Sequence, residues 1–368
     1  MSISVIKQTR LDERRVPMVP AGAHLLTQRG HQVYIEHNAG MAAGFNDEDY
    51  LTAGAKVVYS HAEAVGRAEL VLGVAPFERE DVDLMVPGQT VMSFGHLVTL
   101  SPEALHGMCD KSITAVAYEW IENDANRRPI VEVMGEIAGP LALSLAARLL
   151  ELPQGGRGIL LSGLPGVPAA QVVVIGGGTV GMAAVRAAIG MGAQVVLFDS
   201  DPERLRLADH LFERRVVTYL SYRYDLERAL RHADVVIGAV WVHGGKPPIL
   251  ITREMVQSMK PRSVIVDCSI DQGGICATGR PTTLSDPTYV AEGVIHCCIP
   301  NMPAAVARTA SFALANALFP YVRNMAEGGL SRVLSDQPRF GAGIYLRDGR
   351  VVHPAVGILA EMNAATVI

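Results

Sequence analysis

The stretch from Gln171 to Arg186, Gln-Val-Val-Val-Ile-Gly-Gly-Gly-Thr-Val-Gly-Met-Ala-Ala-Val-Arg, leaves this chain few folds to choose from. A β-branched run at 172–175 enters Gly176-x-Gly178-x-x-Gly181, and an alanine-rich helical run leaves it. Each glycine answers a steric demand: Gly176 a tight turn, Gly178 the approach of a pyrophosphate to the backbone, Gly181 close packing of helix on strand. Phosphates would rest on the helix's unpaired N–H groups and its positive dipole end. The helix stops near Gly190 and Gly192, and residues 194–199 form a second buried strand that closes on Asp199. An acid at that spacing takes the adenosine ribose hydroxyls of NAD. An arginine there would point to NADP; Arg204 and Arg206 come slightly later, so NAD(H) is the expected cofactor. A glycine-rich turn with no nucleotide is the alternative, and strand, glycines, helix and acid in register weigh against it.

At 368 residues the chain has room for two domains. A formal net charge of -5, a pI near 6.1 and no lysine/arginine cluster argue against nucleic-acid and polybasic membrane partners. The five cysteines, Cys109, Cys268, Cys276, Cys297 and Cys298, show no CxxC spacing. No metal is therefore expected, and adjacent Cys297 and Cys298 read as buried thiols in a reducing cytoplasm. The first seven residues read as a strand and not a signal peptide, and no uninterrupted apolar run reaches membrane length. Subunit interfaces of a homo-oligomer would absorb the surplus apolar surface.

Strands are expected at 3–6, 32–36, from 56, at 70–74 and at 89–94, with helices at 20–29 and 46–54. Residues 134–152 carry leucine and alanine at helical spacing and end at Pro153-Gln-Gly-Gly. The nucleotide half continues with strands at 216–220, 234–240 and 263–267, is completed by 293–299, and has helices at 224–231 and 252–259. All these strands would aim their C-terminal ends at one crevice, where ligands of open α/β sheets bind. A second long helical stretch, 304 to about 325, would return the chain, and 341–352 reads as a hairpin turning at Asp348-Gly349. The expected fold is α/β: two Rossmann-like domains with parallel doubly wound sheets, linked by two long helices, with the active-site cleft between them. Residues 1–129 and 307–368 would form a substrate domain and 130–306 the NAD-binding domain. No internal sequence repeat is visible.

Taken in order, these motifs resemble the alanine dehydrogenase family, whose relatives include the NAD-binding domain of proton-translocating transhydrogenases. The likeness runs over nearly the full length. It rests on Arg15-Val-Pro-Met-Val-Pro-Ala-Gly22, Gly95-His96-Leu97, Ala117-Tyr118-Glu119, Met134-Gly-Glu-Ile-Ala-Gly139, the phosphate loop, the 264–274 segment, Asn301-Met-Pro303 and Arg308-Thr309. It implies oxidative deamination of a small L-amino acid to its 2-oxoacid, with hydride passing to NAD and ammonia released. The hydride chemistry belongs to the cofactor, so the protein positions substrate and manages protons. The resemblance places the carboxylate-binding arginine at Arg15, the general acid/base at His96, and an aspartate assisting the carbinolamine step at Asp271. It implies further substrate contacts from Met134 and Asn301. Cofactor contacts are implied from Gly135, Gly176, Gly178, Thr179, Val180, Gly181, Asp199, Arg204, Val240, Ile270, Asp271, Asn301 and Met302. It also implies a homo-oligomer, a hexamer or a dimer. The chemistry of two residues agrees independently: Arg15 can grip a carboxylate with two prongs, and His96, at the end of a buried strand, titrates where proton transfer needs it. Asp267 reads instead as a strand-end hydrogen-bonding residue.

The departures from the family pattern are specific. Where relatives have lysine, apolar, lysine, glutamate, proline, this chain has Gly73-Val-Ala-Pro-Phe77, so the substrate-binding lysine position is Ala75. Losing that cation should weaken transition-state stabilisation and leave room for a larger or differently charged substrate. Gly135 replaces a cofactor-contacting serine and Phe94 a tyrosine, while Arg127-Arg128 reads as a solvated basic turn. The leading reading is an NAD-dependent amino-acid dehydrogenase, or a reductase of imines, with altered substrate preference. Genuine L-alanine dehydrogenase and a non-catalytic NAD(H)-binding protein akin to a transhydrogenase nucleotide domain are the alternatives.

Overall fold

Two sheets carry the chain, each built outward from its own first strand. The structure is a computed structural model and describes residues 1–97, 100–242 and 245–356. It divides into a unit of residues 1–134 with those from 304 onward, and a unit of residues 135–303.

The first unit holds β1 (Ser2–Val5), β2 (Gln32–Glu36), β3 (Lys56–Val58), β4 (Leu70–Leu72), β5 (Thr90–Ser93), β6 (Thr114–Ala117), β14 (Ile344–Arg347) and β15 (Arg350–Val351). Their order across the sheet is β15-β14-β6-β5-β4-β1-β2-β3, and the six N-terminal strands pair parallel. At one edge β14 runs antiparallel to β6 and turns back into β15 through Asp348 and Gly349, both at positive φ as a two-residue hairpin turn requires.

The second unit holds β7 (Gln171–Ile175), β8 (Gln194–Asp199), β9 (Val216–Leu220), β10 (Val235–Gly238), β11 (Val264–Asp267), β12 (Tyr289–Ala291) and β13 (Val294–Cys297), in the order β12-β13-β11-β10-β7-β8-β9. Both units share one strand order: three strands wind outward one way, then the chain returns to the centre and winds the other way. The reversal falls between β1 and β4 in the first unit and between β7 and β10 in the second. Open α/β sheets hold their ligands at that switch point, outside the carboxyl ends of the strands.

Central strands are buried on both faces, which is why they read as unbroken apolar runs: every residue of β4, β10 and β11 is buried. Three features differ from the sequence reading. The strand β6 lies in a segment with no separate strand expectation. The 293–299 strand does not complete its sheet, because β12 adds an antiparallel edge through a turn at Glu292 and Gly293, both at positive φ. The second long helix runs Ala307–Asp336, past the expected end, and is interrupted at Gly328-Gly329, where Gly329 takes φ +68. Residues 357–368, assigned from sequence to the substrate domain, lie outside the described residues.

The first long helix is Pro129–Leu149, opened by its proline and starting earlier than the sequence spacing suggested. Within the second unit its Gly135 and Gly139 pass over the Thr179–Gly190 helix. A Cβ on Gly139 would run into the backbone of Val180 and Ala184, and one on Gly135 would stand 3.2 Å from Val180 Cγ2. Its remaining turns bury Ala142, Leu143, Ala146 and Leu149 with Val172, Val174 and Leu197 of the sheet. Each such leucine contributes about 1.5–3 kcal/mol by leaving water. Among the described residues it is the one helix long and apolar enough to cross a membrane, and that apolar face is spent on the protein core.

Candidate active site

In the second unit, β7 delivers the chain to Gly176, whose φ of +103 only glycine adopts without strain. A side chain at Gly181 would collide with the Gly176 carbonyl, so helix and turn touch through bare backbone. Gly178 is the N-cap of the Thr179–Gly190 helix with no side-chain cap, and a Cβ there would meet nothing. The start of this twelve-residue helix therefore has no side-chain cap to compete with a pyrophosphate for its first N–H groups. Asp199 ends β8, is 5% exposed, and accepts from Gly177 N at 2.6 Å and from Asp201 N at 2.8 Å. A carboxylate has about four acceptor positions, so both oxygens retain capacity for ribose hydroxyls. These residues fit an NAD.

Arg204 stands nearer to that acid than chain distance suggested: the helix Pro202–Leu211 brings its Nη1 to 3.6 Å from Asp199 Oδ2. Arg206 pairs with Glu203 instead. Beyond β10, Val240 N donates to Ser269 Oγ at 3.0 Å, and Gln272 exchanges two hydrogen bonds with the Val242 backbone. The loop thus held carries Ile270 and exposed Asp271 on a short turn, Ile270–Gln272. Asp267, fully buried, accepts from Ser269 N and Ile275 N at 3.0 and 2.9 Å, so it fixes both ends of that loop. Burial pushes its carboxyl upward against the pull of those bonds. Burial also raises the thiols of Cys297, to about 11, and Cys298, to about 12, which leaves them protonated at neutral pH. Asn301 takes positive φ, while the Met302 side chain is buried in the core and leaves only its backbone for a cofactor.

In the first unit, Arg15 and Glu13 form a buried bidentate pair, Nε–Oε1 2.8 Å and Nη2–Oε2 2.7 Å, each side chain 5% exposed. The two-pronged edge expected to grip a substrate carboxylate is thus held by Glu13, and Nη1 instead donates to Met134 Sδ at 3.3 Å. The guanidinium lies over the Phe94 ring. That ring is 6.4 Å from the His96 imidazole and meets Tyr118 edge-on at 5.4 Å. The Tyr118 hydroxyl is fully buried and finds no hydrogen-bond partner among the described residues. Ala75 follows β4 in the same corner: its N donates to Gln8 Oε1 at 2.8 Å, and the preceding carbonyl, of Val74, accepts from Phe94 N. Ala75 therefore follows β4, which borders the switch point, and His96 follows the neighbouring strand β5.

His96 is exposed and takes φ +43, a left-handed conformation uncommon outside glycine and asparagine. Its N–H and that of Gly95 point at the Glu119 carboxylate. Neither Glu13 nor Glu119 carried an expected role, although Glu119 sits in the Ala117-Tyr118-Glu119 motif. The basic turn is corrected in part. Arg127 is exposed and paired with Glu132, but Arg128 is buried over the Trp120 ring, 4.4 Å from its centroid, and faces Glu122. An arginine's flat face lets it pack on an aromatic ring while its edge keeps an ion pair.

The family models described as Alanine dehydrogenase/PNT, N-terminal domain, and Alanine dehydrogenase/PNT, C-terminal domain, match residues 4–138 and 142–354. The chain belongs to the alanine dehydrogenase/PNT family. An alanine dehydrogenase of Halomonas elongata is 43% identical over 357 residues, 97% of this chain and 96% of that protein. A solved structure of an L-alanine dehydrogenase superposes with TM-score 0.94 at 41% identity, covering 98% of this chain and 99% of the other. A transhydrogenase from Sinorhizobium meliloti follows at TM-score 0.83 and 25% identity, covering 96% and 100%. Members of the alanine dehydrogenase/PNT family are NAD-dependent, and this chain is an NAD-dependent oxidoreductase of the class acting on CH–NH2 groups.

Proposed function

We propose that this family member oxidatively deaminates a small L-amino acid, or aminates its 2-oxoacid, with a preference displaced from alanine. Residues of the first unit hold the substrate, and those of the second hold the NAD, which when bound supplies the hydride acceptor. Arg15 meets the substrate carboxylate through the guanidinium edge that Glu13 leaves. The His96 imidazole takes or returns a proton at the substrate's reacting nitrogen or oxygen. Asp271 assists the attack of water that leads to the carbinolamine.

One observation carries the displaced preference: Ala75 is the residue that follows Val74, whose carbonyl accepts from Phe94 N, so alanine and not a cation borders the corner containing Arg15, Phe94 and His96. A 2-oxo oxygen there receives no cation from that position, so a substrate that brings its own charge or extra bulk gains relative to alanine. The names of the relatives favour the plainer reading, in which alanine itself is turned over. The likeness to the transhydrogenase favours a third, in which nucleotide binding has no amino-acid chemistry. Cytoplasmic location and homo-oligomeric assembly belong to the same proposal.

The deciding experiment follows absorbance of NADH with each L-amino acid and NAD, and with each 2-oxoacid, ammonium or a primary amine, and NADH. A kcat/KM for some other substrate at least about tenfold above that for alanine is expected, the scale of one altered pocket contact. Alanine as the best substrate would return the chain to the plain activity. NADH binding with no turnover of any substrate would leave only the nucleotide-binding reading.

A further inference from the structure

We propose that Glu119 is the positioning residue for His96, its carboxylate fixing the turn from which the imidazole works. The proposal rests on the functional reading above, which makes His96 the acid/base. β5 and β6 pair parallel to their last residues, Ser93 opposite Ala117. After them the chains diverge: β5 continues into Gly95 and His96, and β6 into a single tight turn, Tyr118–Trp120. That turn swings Glu119 back across the neighbouring strand end. Its Oε1 accepts from His96 N at 2.7 Å and from Gly95 N at 3.1 Å, and its Oε2 accepts from Gly95 N at 2.9 Å.

Two successive N–H groups can converge on one anion only if the backbone at Gly95 curls, and directly after that anchored peptide His96 takes φ +43. Hydrogen bonds to a carboxylate are stronger than neutral ones, so they can hold a conformation that the His96 backbone would not choose alone. The loop has little slack in which to relax otherwise. A Cβ on Gly95 would come to 2.8 Å from both the Ala117 Cβ and the Leu97 side chain. The carboxylate is half-buried, and its charge bears on Arg128 and on the buried Tyr345 hydroxyl. Glu119 grips the backbone that leads into His96, so its part is to aim the imidazole.

The test compares wild type, Glu119→Gln and Glu119→Ala for turnover in water and in deuterium oxide, with NADH binding read from the fluorescence of the bound nucleotide. Glutamine keeps an oxygen where Oε1 serves both N–H groups; alanine keeps none. The expected result for Glu119→Ala is a kcat about 100-fold lower, the cost of an ångström-scale misplacement. Its solvent isotope effect on kcat should rise, because proton transfer has become slow, while NADH affinity stays unchanged. Glu119→Gln should recover most of that loss. A kcat for Glu119→Ala within about threefold of wild type, too small for lost alignment, would overturn the proposal. So would a fall in kcat matched by an equal fall in NADH stoichiometry with the isotope effect unmoved. If Glu119→Ala does not fold, Glu119→Asp, which withdraws the carboxylate by one methylene, is read by the same criteria. A wild type that turns over no amino acid would overturn the underlying functional reading instead, whereas an active wild type beside an unimpaired Glu119→Ala condemns the Glu119 assignment alone.

Discussion

The guanidinium of Arg15 lies over the ring of Phe94, 5.1 Å from its centroid, while its edge is clasped by Glu13. A ring face attracts a buried cation by about 1–2 kcal/mol, so Phe94 helps to hold the arginine where its substrate would meet it. Phe94→Leu keeps the bulk and removes the quadrupole. The KM for the amino acid should rise about fivefold, corresponding to ~1 kcal/mol, with NADH affinity unchanged. Steady-state kinetics decide it, and an unaltered KM would deny the ring any part in the arginine's alignment.

Ala75 is the second lever. Its backbone already sits beside Phe94 through the Val74 carbonyl, so Ala75→Lys sends an ammonium from the strand end towards the same corner. The kcat/KM for L-alanine should increase at least about 100-fold, as expected for one added group that stabilises developing charge. If alanine oxidation stays where it was, position 75 does not set the substrate.

Asp199 has two tasks, and its replacement should separate them. It anchors the phosphate loop through Gly177 N and keeps Arg204 nearby as a paired cation. Asp199→Ser frees Arg204 to meet a 2′-phosphate, so the ratio of kcat/KM for NAD over NADP should fall about 100-fold, the worth of ~2.7 kcal/mol of charged hydrogen bonding. The melting temperature should drop as well, because a buried N–H loses its acceptor. An unchanged cofactor ratio would remove Asp199 from the ribose site.

His61 gives the first unit a pH dependence unrelated to catalysis. Its ring bridges Asp81 at 2.7 Å and Glu36 at 2.9 Å, and these hydrogen bonds, Asp81 foremost, push its pKa up to about 10 from 6.5. A group whose folded pKa is raised stabilises the fold fully below its unfolded value and loses that contribution as pH climbs through the folded one. The stability gap between wild type and His61→Gln should therefore be widest near pH 6 and narrow towards pH 10, measured by urea unfolding. A gap that widened with pH would mean the imidazole is held neutral.

Much of the fold was legible because β7 and the central strands are buried on both faces and advertise it as unbroken apolar runs, with turn chemistry at both ends. The strand β12 was not: it has three half-exposed or exposed residues, and its turn is Glu-Gly in place of the commoner Asn-Gly. The shared strand order of the two units was invisible too, since topology is set by which strands pair and the sequence carries no matching repeat. At the site, residues tied to a local motif, such as Gly176 and Asp199, could be named from spacing alone. Contacts made across strands could not. Nothing in the chain says that Glu119 reaches back over β5 to His96, or that Glu13 turns on Arg15. Arg204 shows the smaller failure, in which one turn of helix shortens a distance that counting residues overstates.

The antiparallel edge of the first sheet, β14 and β15, comes from residues 344–351, although the strand it pairs with, β6, was complete two hundred residues earlier. On the ribosome the segment 135–303 emerges whole and can close its own core while the first unit still lacks a margin. Vectorial synthesis thus favours a nascent chain whose nucleotide half matures first and whose N-terminal sheet keeps an unpaired border until residues 344–351 have been added. A stalled or truncated translation product would carry that sticky border permanently.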